Sequence, residues 1–220
     1  MKLKITSDGS HTLFVENLNE TYHSTHGAIQ EAKHVFLKNG LHTINKKEIS
    51  VLEVGFGTGL NTILTFQHAE KNNIKTHYST LETHPLEYEI IEKLNYVSEL
   101  KQNKLKVPFG KIHQSNWEEE IKISPNFTLI KINKKIQDFE THQKFDIIYY
   151  DAFGPTAQPK MWTKEIFNKL YCLLNDNAFI VTYCAKGQVK RDLKSVGFEV
   201  IPLPGPPGKR EMTLAKKIKM

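Results

Sequence analysis

Three carboxylates and one glycine turn are the residues best suited to chemistry. Val51-Leu52-Glu53-Val54 is an apolar, strand-like run that enters Gly55-Phe56-Gly57-Thr58-Gly59 and continues through Leu60-Asn61 into a helical pattern. Glycines let the backbone approach a ligand closely, and the helix that follows offers free N–H groups to an anionic or polar group. A nucleotide-like cofactor fits. The spacing is G-x-G-x-G, and Leu60 stands where the dinucleotide fingerprint G-x-G-x-x-G needs its third glycine, which argues against NAD. Glu53, two residues before Gly55, would repel a pyrophosphate. It suits a cofactor that carries an amino group and a sulfonium, and S-adenosylmethionine is such a cofactor.

Leu81-Glu82 ends the next β-branched run and places a carboxylate where it can accept both hydroxyls of a ribose, the alternative being a solvated charge at a strand end. Phe145-Asp146-Ile147-Ile148-Tyr149-Tyr150-Asp151 delivers Asp151 at the carboxyl end of a further strand, before Ala152-Phe153-Gly154-Pro155. Ligands of open α/β sheets sit outside the carboxyl ends of the strands, so Asp151 would share a crevice with the glycine turn and is the catalytic candidate. Capping the turn at Gly154-Pro155 is its structural alternative.

The elements that must position these groups are legible as an alternation. Strands are expected at 50–54, 76–82, 128–132, 145–150, 178–183, 197–201 and 211–216, with helices near 59–71, 86–97, 160–174 and 186–195. That is an α/β, doubly wound sheet closed by a C-terminal antiparallel hairpin around Pro202-Leu203-Pro204-Gly205-Pro206-Pro207-Gly208, a stiff surface loop. Residues 1–46 read as a small N-terminal extension, a hairpin around Ser7-Asp8-Gly9-Ser10 plus a helix at 25–38, in front of the main domain at 47–220. In 220 residues, 39% hydrophobic and 25% charged, one sizeable core is expected, and a disordered or fibrous chain is excluded. Cys172 and Cys184 match no disulfide or zinc spacing, so a reducing, cytoplasmic compartment is expected. No signal peptide and no apolar run of membrane-spanning length are present, so no membrane partner is expected.

At these residues the sequence resembles the MnmD-type tRNA methyltransferases, also found as the methyltransferase half of bifunctional MnmC. The stretches that carry the resemblance are EVGFGTGLN (53–61), STLETHPLE (79–87), YDAFGPTAQPKMWTKEIF (150–167), TYCAKGQVKRDLKSVGF (182–198) and GKREM (208–212), with TSDGSHTLF (6–14) and HVFLKNGL (34–41). The glycine turn is shared by many methyltransferases; DAFGPTAQPKMW with GKREM is specific. The resemblance implies a Rossmann-like class I methyltransferase that moves a methyl group from S-adenosylmethionine to the amine of 5-aminomethyl-(2-thio)uridine at the tRNA wobble position. It implies Glu53, Gly55, Gly57, Gly59, Asn61, Glu82 and Asp151 at the cofactor. Within this sequence there is no second glycine-rich fingerprint, so no flavin is expected. The chain departs from the family at Lys134-Lys135, where an acid commonly approaches adenine; either Asp138 takes over or adenine is held by apolar contact and backbone.

An alkyl amine attacks only through its free lone pair, so the site must redirect a proton and fix an angle. Asp151 is expected to orient the amine, a carboxylate of ordinary pKa being a weak base toward an alkylammonium. Phe153, Pro155, Pro159 and Trp162 could wall an extruded uridine. Residues 186–220 hold nine basic and three acidic residues, an excess equal to the net charge of +6 of the whole chain. This is the expected phosphate surface, with Lys190, Arg191, Lys209 and Arg210 flanking the crevice and Lys216, Lys217 and Lys219 read as a solvated tail. His23 and His26 are expected at the surface or near RNA, and no metal is expected. The competing readings are a methyl- or aminopropyltransferase acting on a small free amine, a catalytically inactive RNA-binding module, and more distantly an NAD-linked oxidoreductase.

Overall fold

The computed structural model describes residues 1–218, so Lys219 of the basic tail lies outside the described residues. The chain opens with a three-stranded antiparallel sheet, β1 (Lys2–Ile5), β2 (His11–Val15) and β3 (Glu20–Thr21). Helix α1 (Ala28–Ala32) follows and widens into a π turn over Lys33–Lys38. Leu13, Ala28, Val35 and Phe36 are buried in one core with the helix that follows the glycine turn, so residues 1–46 are packed into the main domain.

The main sheet has eight strands. Its parallel centre is β4 (Glu48–Val54), β5 (Lys75–Leu81), β7 (Phe127–Ile132), β8 (Phe145–Tyr150) and β9 (Leu174–Thr182). The edges are antiparallel: β6 (Glu120–Ser124) pairs with β7, and β11 (Glu211–Lys217) pairs with both β9 and β10 (Phe198–Pro204). The spatial order is β10-β11-β9-β8-β4-β5-β7-β6. All seven strands expected from the sequence are present. β10 runs on through Pro202 and Pro204, which an edge strand tolerates because its outer N–H groups need no partner.

Helices cover both faces. On one lie α2 (Leu60–Asn72) and α5 (Lys106–Gln114), in a core that includes Ile49, Val51, Ile63 and Leu64. On the other lie α6 (Lys164–Leu173) and α7 (Gly187–Val196), packed with Leu52, Val54, Ile148 and Ile180. α6 buries Ile166, Phe167, Leu170 and Leu173, one face at helical spacing, and each such side chain contributes roughly 1.5–3 kcal/mol of burial. Apart from exposed Glu48, β4 is buried or half-buried on both faces, as a central parallel strand must be.

Three local departures have physical causes. The helix expected at 86–97 is two short ones, α3 (Tyr88–Ile91) and α4 (Tyr96–Glu99). Between them the Asn95 side chain accepts from His11 N–H at 2.8 Å and donates to Gly9 C=O at 2.9 Å, tying this segment to the N-terminal hairpin. α5 falls where no helix was expected, and carries Pro108 in its first turn, where the missing N–H would have had no helical partner. The helix expected from residue 160 starts at Lys164, after a 3-10 turn at Pro159–Met161. Among the described residues no helix is long and apolar enough to cross a membrane.

Candidate active site

β4 lies between β5 and β8, so the chain leaves the carboxyl ends of β4 and β8 in opposite directions and opens a crevice there. The glycine turn closes its floor. Gly55 has φ +100°, and a Cβ on it would come within 2.7 Å of the Asp151 carbonyl oxygen; Gly57 has φ +48°, and its Cβ would strike the Tyr22 ring at 2.9 Å. Both positions require glycine for conformation and for room. The turn is pinned by Gly55 and Phe56 N–H donating to Leu81 C=O, and Asp151 N–H donates to Val54 C=O at 3.0 Å.

Above this floor is a cavity of about 1080 Å³, larger than most single-ligand pockets and roomy enough for a nucleoside beside a nucleotide-like cofactor. Gly55, Gly57, Asn61, Glu82, Asp151 and Phe153 all line it. So does a set that sequence reasoning missed. Tyr22, His23 and Glu31, from the N-terminal segment, form one wall. Tyr22 meets Phe153 edge to face at 5.0 Å. His23 Nε2 lies 2.7 Å from Thr58 Oγ1 in the glycine turn, and burial holds its imidazole down at about 4, in the neutral form. His23, expected at the surface or near RNA, is half-buried and lines the cavity, while His26 is exposed and packs against Gly208. The only signal that could have found this wall is the topology itself, which turns residues 15–25 back across the glycine turn.

Glu53 is not on the cavity. It is fully buried on the α2 face of β4, where its Oε2 accepts from Thr80 Oγ1 at 2.8 Å and Thr62 Oγ1 at 3.1 Å. Strand alternation explains this, since Glu53 shares a face with Val51 while the turn begins two residues later. A direct contact from Glu53 to a cofactor amino group is thus not supported by its placement. Glu82 does reach the cavity, but three of its four lone-pair positions are engaged: Oε1 accepts from Thr83 and His84 N–H, and Oε2 from Gly57 N–H at 3.0 Å. It organises the turn as well as facing the cavity. Asp138 is exposed and off the cavity, whereas Ile136 and Lys134-Lys135 line it, leaving the apolar and backbone alternative for adenine.

Asp151 is held by Asn61, whose Nδ2 donates to Asp151 Oδ2 at 2.8 Å. Burial raises its carboxyl to about 7; the Asn61 hydrogen bond and Lys209 pull it down, and Glu31 pushes it up. The ordinary carboxylate value assumed from sequence does not apply here, and the group is a better proton acceptor than expected.

The other expected substrate residues are divided by the structure. Phe153 faces the cavity. Trp162 is buried, 6% exposed, with Nε1 donating to Phe153 C=O at 2.8 Å and its ring against Tyr150, so it belongs to the core. Pro155 lines a second, shallower cavity beside the first, with Lys186, Lys209 and Arg210. Lys190 is paired with Glu211, and Lys209 with the buried Glu31 while lying 4.0 Å over the Tyr183 ring. Arg191 is exposed and, among the described residues, bonds only Gln188, and Arg210 is exposed. Two of the four expected phosphate contacts are therefore already neutralised inside the protein.

The donor set suits S-adenosylmethionine: a glycine cradle that any Cβ would fill, a strand-end carboxylate beside it, and a second carboxylate across the cavity. Known proteins agree with this fit. Residues 92–218 match the family described as S-adenosyl-L-methionine-dependent methyltransferase. The tRNA 5-methylaminomethyl-2-thiouridine biosynthesis bifunctional protein MnmC of Cupriavidus metallidurans is 30% identical, over 96% of this chain and 33% of its own length. This chain thus spans about a third of the length of the curated relatives it matches. Among solved structures, MnmC2 from Aquifex aeolicus superposes with a TM-score of 0.77 at 23% identity, covering 99% of this chain and 70% of that one. Spermidine synthase from Thermotoga maritima superposes with a TM-score of 0.57 at 15% identity, over 99% and 72%, a likeness of fold alone. With its glycine cradle, strand-end carboxylates and matched C-terminal half, the chain belongs to the S-adenosyl-L-methionine-dependent methyltransferase family.

Proposed function

We propose that the enzyme methylates the primary amine of 5-aminomethyl-(2-thio)uridine at the wobble position of tRNA, forming the 5-methylaminomethyl nucleoside. The observation that carries this reading is the pairing of Asp151, fixed by Asn61 and raised to about 7, with a cavity too large for a cofactor alone and walled by Tyr22 and Phe153. The relatives supply the substrate class, since the Cupriavidus protein is named for biosynthesis of that nucleoside.

When bound, S-adenosylmethionine supplies a methyl group on a positively charged sulfur, which an amine lone pair can take. The Gly55–Gly59 turn, Glu82 and the Ile136 side would hold it. Asp151 accepts an N–H hydrogen bond from the incoming amine and, its carboxylate made more basic by burial, takes the ammonium proton that blocks the lone pair. Asn61 fixes the angle of that carboxylate. Phe153 and Tyr22 offer apolar and aromatic surface to a base drawn out of its stack. Exposed Arg191 and Arg210, with Lys186, are among the cations without a carboxylate partner in the described residues that can meet phosphate, and a cytoplasmic location follows from a tRNA substrate.

The test is methyl transfer from labelled S-adenosylmethionine to tRNA from a strain that lacks this modification, followed by nucleoside analysis. Label in 5-methylaminomethyl-2-thiouridine is the expected result. Cofactor binding without incorporation would redirect the reading to a small free amine, and no cofactor binding to a non-catalytic RNA-binding protein.

A further inference from the structure

The Thr58 hydroxyl, in the middle of the glycine turn, is buried between two hydrogen-bond partners. The Tyr96 hydroxyl donates to Thr58 Oγ1 at 3.2 Å, and His23 Nε2 lies 2.7 Å from the same oxygen. Each hydroxyl brings one proton to this chain, and a neutral imidazole brings one more. Tyr96 is fully buried and, among the described residues, its hydroxyl bonds only Thr58, so its proton points there. The Thr58 proton then has one acceptor within reach, His23 Nε2. Reversing either bond would strand a buried hydroxyl proton without an acceptor, at the full cost of its desolvation. Nε2 is therefore the accepting nitrogen, and the imidazole proton sits on Nδ1.

His23 Nδ1 has no hydrogen-bond partner among the described residues, yet it is not buried, and its ring lines the cavity. Two bonds that start in the protein interior thus fix one N–H donor beside the glycine turn.

We propose that His23 is a cofactor-binding residue whose Nδ1–H donates to the α-carboxylate of S-adenosylmethionine, with Thr58 and Tyr96 as the positioning residues that set its tautomer.

The carboxylate follows by elimination along the cavity. Adenine belongs beside Ile136, the ribose at Glu82 and the methyl group beside Asp151, which leaves the amino-acid end of the cofactor for Thr58 and the start of α2. An N–H donor there needs an acceptor without a proton of its own. The α-carboxylate is such a group, and the N-terminus of α2 at the same end favours its negative charge. The acidic residues near His23 do not oppose it. Glu31 is paired with Lys209 and accepts from Ser24 N–H, while Asp8 accepts from Thr6, Ser10 and Gln30. The same bond gives specificity: the decarboxylated form of the cofactor, which donates an aminopropyl group, offers His23 nothing to bond.

This inference rests on the cofactor placement proposed above and not on tRNA as the substrate, so its test needs no turnover. Wild type, His23→Phe and Tyr96→Phe are titrated by calorimetry with S-adenosylmethionine and with its decarboxylated form. H23F keeps a ring and should lose roughly 10- to 100-fold in affinity for S-adenosylmethionine, while binding the decarboxylated form within about threefold of wild type. Y96F frees the tautomer and should lose less, about 2- to 10-fold, again for S-adenosylmethionine alone. In ¹⁵N spectra of the histidine rings, the His23 signals are those missing from H23F. At neutral pH they should show the proton on Nδ1, and the Nδ1 signal should move with S-adenosylmethionine but not with the decarboxylated form. A proton on Nε2 overturns the proposal, as does equal loss for both ligands, which would make His23 a support of the turn. Unchanged S-adenosylmethionine affinity in H23F also overturns it and would direct Nδ1–H to the substrate base. A wild type that binds neither ligand would remove the cofactor placement itself. Should H23F fail to fold, Y96F and the wild-type spectra still decide.

Discussion

Asn61 Nδ2 donates to Asp151 Oδ2 at 2.8 Å, so the first turn of α2 holds the carboxylate at the end of β8. Residues 90 positions apart are joined at the point where the glycine turn and β8 diverge. Removing either partner tests whether that bond serves catalysis. Asp151→Asn keeps the shape and removes the base, and should lower the methyl-transfer rate by about 10²- to 10⁴-fold. Asn61→Ala should cost less, roughly 10- to 100-fold, because the carboxylate remains but its angle is freed. Single-turnover kinetics alongside calorimetric S-adenosylmethionine affinity separates the effects; an affinity that falls as far as the rate would assign Asp151 to cofactor binding.

Gly55→Ala asks whether the turn tolerates a side chain. The new Cβ would meet the Asp151 carbonyl at 2.7 Å, and the backbone there has φ +100°. Strain of that kind costs on the order of 1–3 kcal/mol, which for a chain of this size is about 2–4 °C of Tm per kcal/mol. The loss should appear in thermal unfolding without ligand, and S-adenosylmethionine should rescue little of it because the cradle itself is displaced. A variant with wild-type Tm and wild-type affinity would mean that the turn can rearrange.

Much of this was legible in the sequence because the signals were local. β4 into Gly55-Phe56-Gly57 and β8 into Asp151 are strand-to-turn patterns read within a dozen residues, and they landed in one crevice because parallel strands end on the same side. Glu53 lies off the cavity it was expected to face because its placement depends on which face of β4 it occupies, and one residue of register reverses that. Trp162 reads as a base platform until its indole N–H is seen bonded to Phe153 C=O. Glu31 carried no signal, since its partner Lys209 is 178 positions away. Electrostatic pairing across such distances is a property of the fold, and counting charges along the chain could not predict that Lys190 and Lys209 were already spent.

The Lys209–Glu31 ion pair should be structural before it is anything else. Glu31 is buried, its Oε2 accepts from Ser24 N–H at 2.9 Å, and Lys209 supplies its counter-charge while joining the β10–β11 loop to α1. Lys209→Ala should destabilise the fold by about 1–3 kcal/mol, less than a fully buried pair would lose because the lysine is 31% exposed. Adding Glu31→Gln should recover part of that loss, because the uncompensated carboxylate is then gone. Denaturant unfolding of the two single variants and the double variant measures the coupling; additive losses would show that the two charges do not depend on each other.

RNA affinity should divide the basic residues differently. Arg191 and Arg210 are exposed and carry no carboxylate partner among the described contacts, whereas Lys190 is held by Glu211. Each phosphate contact removed should flatten the log–log dependence of tRNA affinity on salt by roughly 0.7–0.9. Arg210→Ala and Arg191→Ala should do so; Lys190→Ala should leave the slope nearly unchanged. Equal flattening by all three would place Lys190 on the RNA after a switch of partners.

The half-buried His23 sets an acid limit on stability. Its imidazole is held at about 4, below its ordinary value of 6.5, because burial penalises the charged form. The unfolded chain takes up this proton near 6.5 and the native protein only near 4, so the contribution of His23 is present above 6.5 and lost as pH falls to about 4. Glu53 and Asp151, raised to about 8 and about 7, slope the other way: the native state holds their protons longer, and their contribution fades as pH rises toward those values. Because the windows overlap, a wild-type profile alone would mix them. The difference between wild type and His23→Asn isolates the histidine: the variant should lose less stability between pH 6.5 and 4, and match the wild-type slope above 7. Urea midpoints across that range measure it, and parallel curves below 6.5 would mean that His23 takes its proton in the native state and that its bond to Thr58 survives the charge.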